Sequence, residues 1–143
     1  MTPPMAEILT PPAKKAAVII KTLVPEAILN PPVEWYGTGS IVAPTKDQFN
    51  KYRYPPTDDH PGIRMIWNEN ASAVTCWNDG WKWVEAFRSP KVEFIVGIHP
   101  WLENDLYFAD LILPAQTIFE HEDLVGAIYS ATLGIYFQDK VVD

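Results

Sequence analysis

Apolar residues change their spacing along this chain. After Gly62 they fall into short blocks separated by polar or Pro-containing breaks. Ile63–Trp67 ("IRMIW") is the first block and reads as a strand. Trp77, Trp81, Val84 and Phe87 then recur at helical spacing, so a helix is expected over Trp77–Arg88, with Asn78 or Asp79 as its N-cap and "SPK" as its stop. Val92–Ile98 ("VEFIVGI") is an almost unbroken apolar run, the pattern of a parallel strand buried on both faces. A connection of "HPWLENDLYFA" leads to Asp110–Leu113, a third strand ended by Pro114. Strand, helix, strand, short helical crossover and strand form βαβ units, which predict parallel strands and right-handed crossovers. The fold class expected is α/β, a short parallel sheet.

Before Gly62 the pattern is irregular. "TPP" occurs twice and "NPP" and "YPP" once each without fixed spacing. Each proline fixes φ and removes a donor, so long irregular connections are expected. Ala13–Val24 is the one helix candidate there, with Pro12 near its first turn and Pro25 ending it. Residues 30–61 read as extended loop lying over other protein. The expected organisation is thus a Pro-rich connector over residues 1–61, an α/β segment over 62–125, and a strand or hairpin tail over 126–143, in which Ile128, Ser130 and Thr132 alternate with Tyr129 and Ala131.

Composition narrows the classes of function. The 143 residues carry a formal charge of −7, which argues against a nucleic-acid or anionic-membrane surface. No apolar run approaches the length of a membrane span. "MTPPMAEILTPPAKK" places prolines and an acid where an export signal needs a basic start and an apolar block, so a cytoplasmic protein is expected. Cys76 is the single cysteine, so no internal disulfide or Cys-x-x-Cys metal site forms, and it reads as a small packed hydrophobe.

The chemistry sits where the strands run out. Ligands of open parallel sheets bind beyond the carboxyl ends of the strands, where loops converge. The first strand ends at Asn68-Glu69-Asn70, the second at Ile98-His99, and the third at Pro114, whose loop carries Glu120 and His121. All of these fall on one rim if the strands are parallel. Each also has a plainer reading: asparagines turn chains, His99 before a proline fits an exposed turn, and Glu120–Asp123 fits a solvated face or a first helical turn. No glycine-rich phosphate loop, Gly-x-Ser-x-Gly elbow or His-Glu-x-x-His helix is present, so no catalytic residue and no metal ligand is assigned.

The run "VEFIVGIHPWLENDLYFADLILPAQTIFEHEDL" resembles the molybdopterin oxidoreductase family of the dimethyl-sulfoxide-reductase type. Ala109-Asp110-Leu111-Ile112-Leu113-Pro114 fits its "ADxxLP" pattern, and Glu120 stands at its acidic position. "IWNENAS" resembles the family's Gly-x-Asn-Pro turn, with Asn70 at the Asn and with Asn68 and Ala71 replacing Gly and Pro. "ILNPPVEWYG" and "FEHEDL" are similar to the pyrogallol–phloroglucinol transhydroxylase large subunits of that family.

The resemblance implies a fragment of a large subunit that holds the guanosine-diphosphate tail of a molybdopterin guanine dinucleotide (bis-MGD) cofactor bearing molybdenum or tungsten. The implied cofactor-binding residues are Asn68, Asn70, Ile98, His99 and His121. Asn70 would meet the phosphates or sugar, Ile98 and His99 the guanosine, and His121, where some relatives place a Lys, a phosphate. His99 replaces an Asp common in relatives, and an imidazole cannot copy a carboxylate's paired acceptance from guanine. Asp110 is expected to tie loops at the head of its strand. The implied partners are the remaining domains of the large subunit and an iron–sulfur electron-transfer subunit, with any iron–sulfur cluster elsewhere. The metal-ligating region has no counterpart in this sequence, so activity of the chain alone is not expected. The alternative is a non-catalytic α/β protein-interaction module.

Overall fold

The computed structural model describes residues 19–37, 48–69, 72–126 and 135–142. Three parallel strands form its centre: β3 (Met65–Asn68), β4 (Phe94–His99) and β5 (Leu111–Pro114). They pair in the order β3-β4-β5, with Met65 opposite Phe94, Asn68 opposite Gly97, and His99 opposite Pro114. The α/β expectation holds, and each strand lies one or two residues further along than the apolar blocks alone predict.

Both crossovers pass over the same face of this sheet. The first consists of α2 (Ala73–Cys76) and α3 (Gly80–Phe87), and the second is a 3-10 helix over Asn104–Phe108. Trp83 and Phe87 of α3 pack with Ala73 and Ile95, and Ile66, Phe108 and Ala109 border that cluster. Phe87 stacks on Phe108 with ring centroids 5.4 Å apart, joining the two crossovers. At Gly97 a Cβ would overlap the Leu106 side chain, so this strand position holds glycine because the 3-10 helix lies directly on it.

The helix predicted over Trp77–Arg88 is shorter than expected. It begins at Gly80, capped by Asp79, whose side chain accepts from Lys82 N and whose φ is 58°. Trp77 lies before this cap, its ring edge-on to Trp83 at 5.1 Å and 5.2 Å from Lys21 Nζ. Ala73–Cys76, between the first apolar block and the expected helix, is helical as well. Gly80 lets the two helices meet, since a Cβ there would collide with the carbonyl of Val74.

The front of the chain also departs from expectation. Pro25 does not end a helix. It stands in the first turn of α1 (Val24–Leu29), where its missing N–H has no helical partner to lose. Residues 13–18 of the predicted Ala13–Val24 helix lie outside the described residues. Within the predicted loop, β1 (Val33–Tyr36) and β2 (Lys51–Tyr54) pair antiparallel. Val33 and Trp35 turn inward and Glu34 and Tyr36 outward, and the inward pair joins Tyr54 and Ala27 in a second small core. α1 serves both cores: Ala27 belongs to the hairpin's, while Val24 packs against the sheet's.

The tail pairs β6 (Asp123–Gly126) with β7 (Ile135–Gln138) as an antiparallel ribbon. Ile128–Thr132, on which the alternation was read, lies outside the described residues. No described helix is long and apolar enough to cross a membrane.

Candidate functional site: the carboxyl rim of the parallel sheet

Register alone carries Asn68 and His99 to one edge. Asn68 closes β3 opposite Gly97, and His99 closes β4 two residues further on. Side chains alternate across a strand, so Asn68, Gly97 and His99 share the helix-covered face, whereas Ile98 shares the opposite face with Leu113. Ile98 can therefore meet a ligand on the Asn68 side only through its backbone. Asn70 lies outside the described residues.

The rim is organised by Asp105, a residue the sequence reading left unassigned. Its side chain is 1 % exposed. The carboxylate accepts from Ala73 N at 2.7 Å, from Val74 N at 3.0 Å and from Asn68 Nδ2 at 3.2 Å. One residue of the second crossover thus satisfies two free N–H groups at the start of α2 and orients the asparagine that ends β3. A buried charge needs such partners, and here all three come from the β3–α2 turn. In sequence, Asp105 is one acid in a polar connection. Its only signal was "Asn-Asp" before Leu106, a plausible start for a helical turn.

His99 is half-buried. Its Nδ1 lies 3.3 Å from Trp101 N and 3.1 Å from Trp101 O, so the turn after β4 wraps back onto the ring. When Nδ1 accepts from Trp101 N–H, the ring proton resides on Nε2, a donor for a ligand oxygen or ring nitrogen. The backbone carbonyl of His99 accepts from Ala115 N at 3.4 Å, which fixes the exit of β5 beside the exit of β4.

The loop leaving β5 closes on itself. Thr117 N donates to Glu120 Oε2 at 2.7 Å, and His121 Nδ1 donates to Thr117 O at 2.9 Å. Donation from the Thr117 backbone N–H holds the Glu120 carboxyl below its ordinary value, reinforced by the Thr117 side chain. His121 Nε2 stands 3.6 Å from Asp123 Oδ2, an ion pair whenever the imidazole is protonated. Asp110 does what its position predicts: its Oδ2 accepts from Ile95 N at 2.8 Å while its own N donates to Ile95 O at 2.9 Å, locking the head of β5 to β4.

This donor and acceptor set suits a nucleoside better than a diphosphate. Asn68 and His99 offer neutral polar groups at neighbouring strand ends. The N–H groups of α2, which would otherwise face a phosphate, are already filled by the Asp105 carboxylate, and Thr117 N is filled by Glu120. No group of three or more His, Cys, Asp or Glu side chains suited to a metal ion occurs among the described residues. A cavity of about 340 Å³ lies at the amino end of the sheet instead, lined by Ala27, Ile28, Pro55, His60 and Ile63 among others. Its charged neighbours are engaged, Arg64 Nε with Glu93 at 2.7 Å and Lys91 Nζ with Leu29 O at 2.7 Å. That cavity is the seam between the hairpin and the sheet, remote from the loops at the carboxyl rim.

No family model matches the chain. It is similar to the pyrogallol hydroxytransferase large subunit of Pelobacter acidigallici, with 29% identity over 101 residues, or 71% of this chain. The chain spans 11% of the length of that subunit.

Proposed function

We propose that this chain is a segment of a molybdopterin (bis-MGD) oxidoreductase or transhydroxylase large subunit, and that its carboxyl rim receives the guanosine end of the cofactor's nucleotide tail. The observation that carries this reading is the parallel register, which sets Asn68 and His99 on one face at adjacent strand ends, in a chain similar to a hydroxytransferase large subunit. Asn68 presents its side-chain carbonyl while its amide is held by Asp105, and His99 supplies a ring nitrogen. The backbone of Ile98 lies between them. Asn70, outside the described residues, is assigned to the sugar or phosphates on the sequence resemblance alone. His121 lies on the neighbouring loop and faces a phosphate when protonated. The metal, molybdenum or tungsten, carries the group transfer in the complete protein, and this segment contributes anchoring and orientation. The other domains of the large subunit and an iron–sulfur subunit complete the assembly, in the cytoplasm.

Titration of the isotopically labelled chain with guanosine and with GDP, followed by amide chemical shifts, tests the reading. Shifts should concentrate at Asn68, Ile98 and His99, with a dissociation constant of about 1 mM for so small a part of the cofactor. Asn68→Ala and His99→Ala should each weaken binding at least fivefold. Shifts confined to the seam around His60 and Ile63, or none at roughly ten times that concentration, would refute it. A folded chain indifferent to both ligands would favour the interaction-module reading.

A further inference from the structure

The seam at the amino end of the sheet is a recess made of two unlike parts. Its floor is apolar: Ala27 and Ile28 of α1, each 1% exposed, line it together with Ile63. Pro31, Pro55 and Pro90 border it as well. Proline has a fixed φ and no N–H, so these walls are stiff and offer no donor of their own. The volume of about 340 Å³ falls at the lower end of the range for small-molecule sites. Taking roughly 30 Å³ for each non-hydrogen atom, it holds a body of about ten such atoms.

The mouth is cationic, in a chain whose formal charge is −7. Lys91, Arg64 and His60 line it, and Glu93 is the one acid among its described lining residues. Lys91 Nζ donates to the Leu29 carbonyl at 2.7 Å, which pins the ammonium at the end of α1 and leaves it two further N–H donors. Arg64 binds Glu93 through Nε at 2.7 Å and through Nη2, both on the same carboxylate oxygen. That pair balances itself, so Lys91 is the uncompensated charge. Gly62 N donates to His60 Nδ1 at 3.0 Å, which puts the proton of the neutral ring on Nε2, another donor. Donors therefore crowd the mouth, and its only ionised acceptor is already bound to arginine.

We infer that this recess is a binding site for a small hydrophobic carboxylate, its apolar body on Ala27, Ile28 and Ile63 and its acid group on Lys91. An apolar molecule without the acid gains only the floor. A short polar anion gains only the mouth, where an exposed charge pair contributes little. Both parts are used only by an amphipathic anion. The recess lies at the opposite end of the strands from Asn68 and His99, so the inference does not rest on the cofactor reading. Its walls come from α1, from the turn after β2 and from the segment leading into β4. A bound carboxylate thus bridges the hairpin's core and the sheet's, and it stabilises their joint by mass action.

Titration of the isotopically labelled full chain with hexanoate and with benzoate tests the inference. Hexanol and acetate serve as probes that each lack one half of the ligand. Both carboxylates should shift the amides of Ile28, Ile63 and Lys91, with dissociation constants of about 1 mM for so few atoms. Hexanol and acetate should each bind at least fivefold more weakly. Lys91→Met keeps the stem and removes the charge, and it should weaken hexanoate at least fivefold. Hexanol binding as tightly as hexanoate, shifts that miss the seam, or none at roughly 10 mM would overturn the inference. So would full affinity for hexanoate in Lys91→Met. If that variant does not fold, the comparison of the four probes on the parent chain decides alone. Hexanoate should leave the amides of Asn68 and His99 unshifted and guanosine those of Ile28 and Lys91, so failure at one end of the sheet leaves the reading of the other standing.

Discussion

Asp105→Ala is the most informative single change in this chain. The carboxylate accepts three hydrogen bonds, two of them from the backbone of α2, and it is 1 % exposed. Alanine removes the acceptor and leaves the N–H groups of Ala73 and Val74 and the amide of Asn68 facing a small void. A hydrogen bond to a charged group contributes about 1.5–3 kcal/mol, and an abandoned buried donor costs about 1–3 kcal/mol. Ala73 is itself 3% exposed, so water does not readily reach its N–H. Because the four-residue helix can fray to recover part of this, a net loss of about 3–5 kcal/mol is expected, close to that for breaking a buried charged network. At this chain length that lowers Tm by roughly 10–15 °C. Asp105→Asn keeps one acceptor oxygen and should lose about half as much. Denaturation followed by circular dichroism, with exposed Glu85→Ala as control, gives the energies. Hydrogen exchange at Ala73 and Val74 gives the location, and both amides should lose protection before those of β4. An Asp105→Ala chain within about 0.5 kcal/mol of the parent, or one whose α2 amides stay protected, would refute the assigned role.

Gly80→Ala drives a Cβ into the backbone carbonyl of Val74, which cannot swing aside, so a loss of about 2–3 kcal/mol and an earlier thermal transition are expected. For pH, the sign follows from Glu120. Its folded-state value lies below the ordinary 4.5, so its stabilising bond to Thr117 N is fully present above that value and is lost as pH falls through the lower, folded-state value. The protection of the Thr117 amide, relative to its intrinsic exchange rate at each pH, should therefore fall on acidification below about pH 4.5, and Glu120→Gln should flatten that dependence.

The sequence pattern exposes the parallel sheet because its signal is local. "VEFIVGI" can be little other than a buried strand, and Pro114 and Asp79 mark their boundaries by their own chemistry. The placement of Asn68 and His99 at strand ends is legible for the same reason, since they are polar residues directly after apolar runs. Long-range partners account for what was missed. Ala73–Cys76 is helical because a carboxylate more than thirty positions away caps it, and no local pattern reports that. The hairpin escaped notice because β1 and β2 are four residues each and lack a two-residue turn between them, although Val33 and Trp35 already alternate with Glu34 and Tyr36. Pro25 was misread because the same ring that stops one helix can start another.

Asp105 has a consequence for how this protein meets anions. The chain carries a permanent tenant for the start of α2, covalently attached and delivered by folding itself. Phosphate or sulfate from solution would have to evict a tethered rival, so neither salt should tighten the start of α2 beyond its general effect on stability. The start of α2 is consequently satisfied by folding alone, without any ion from solution.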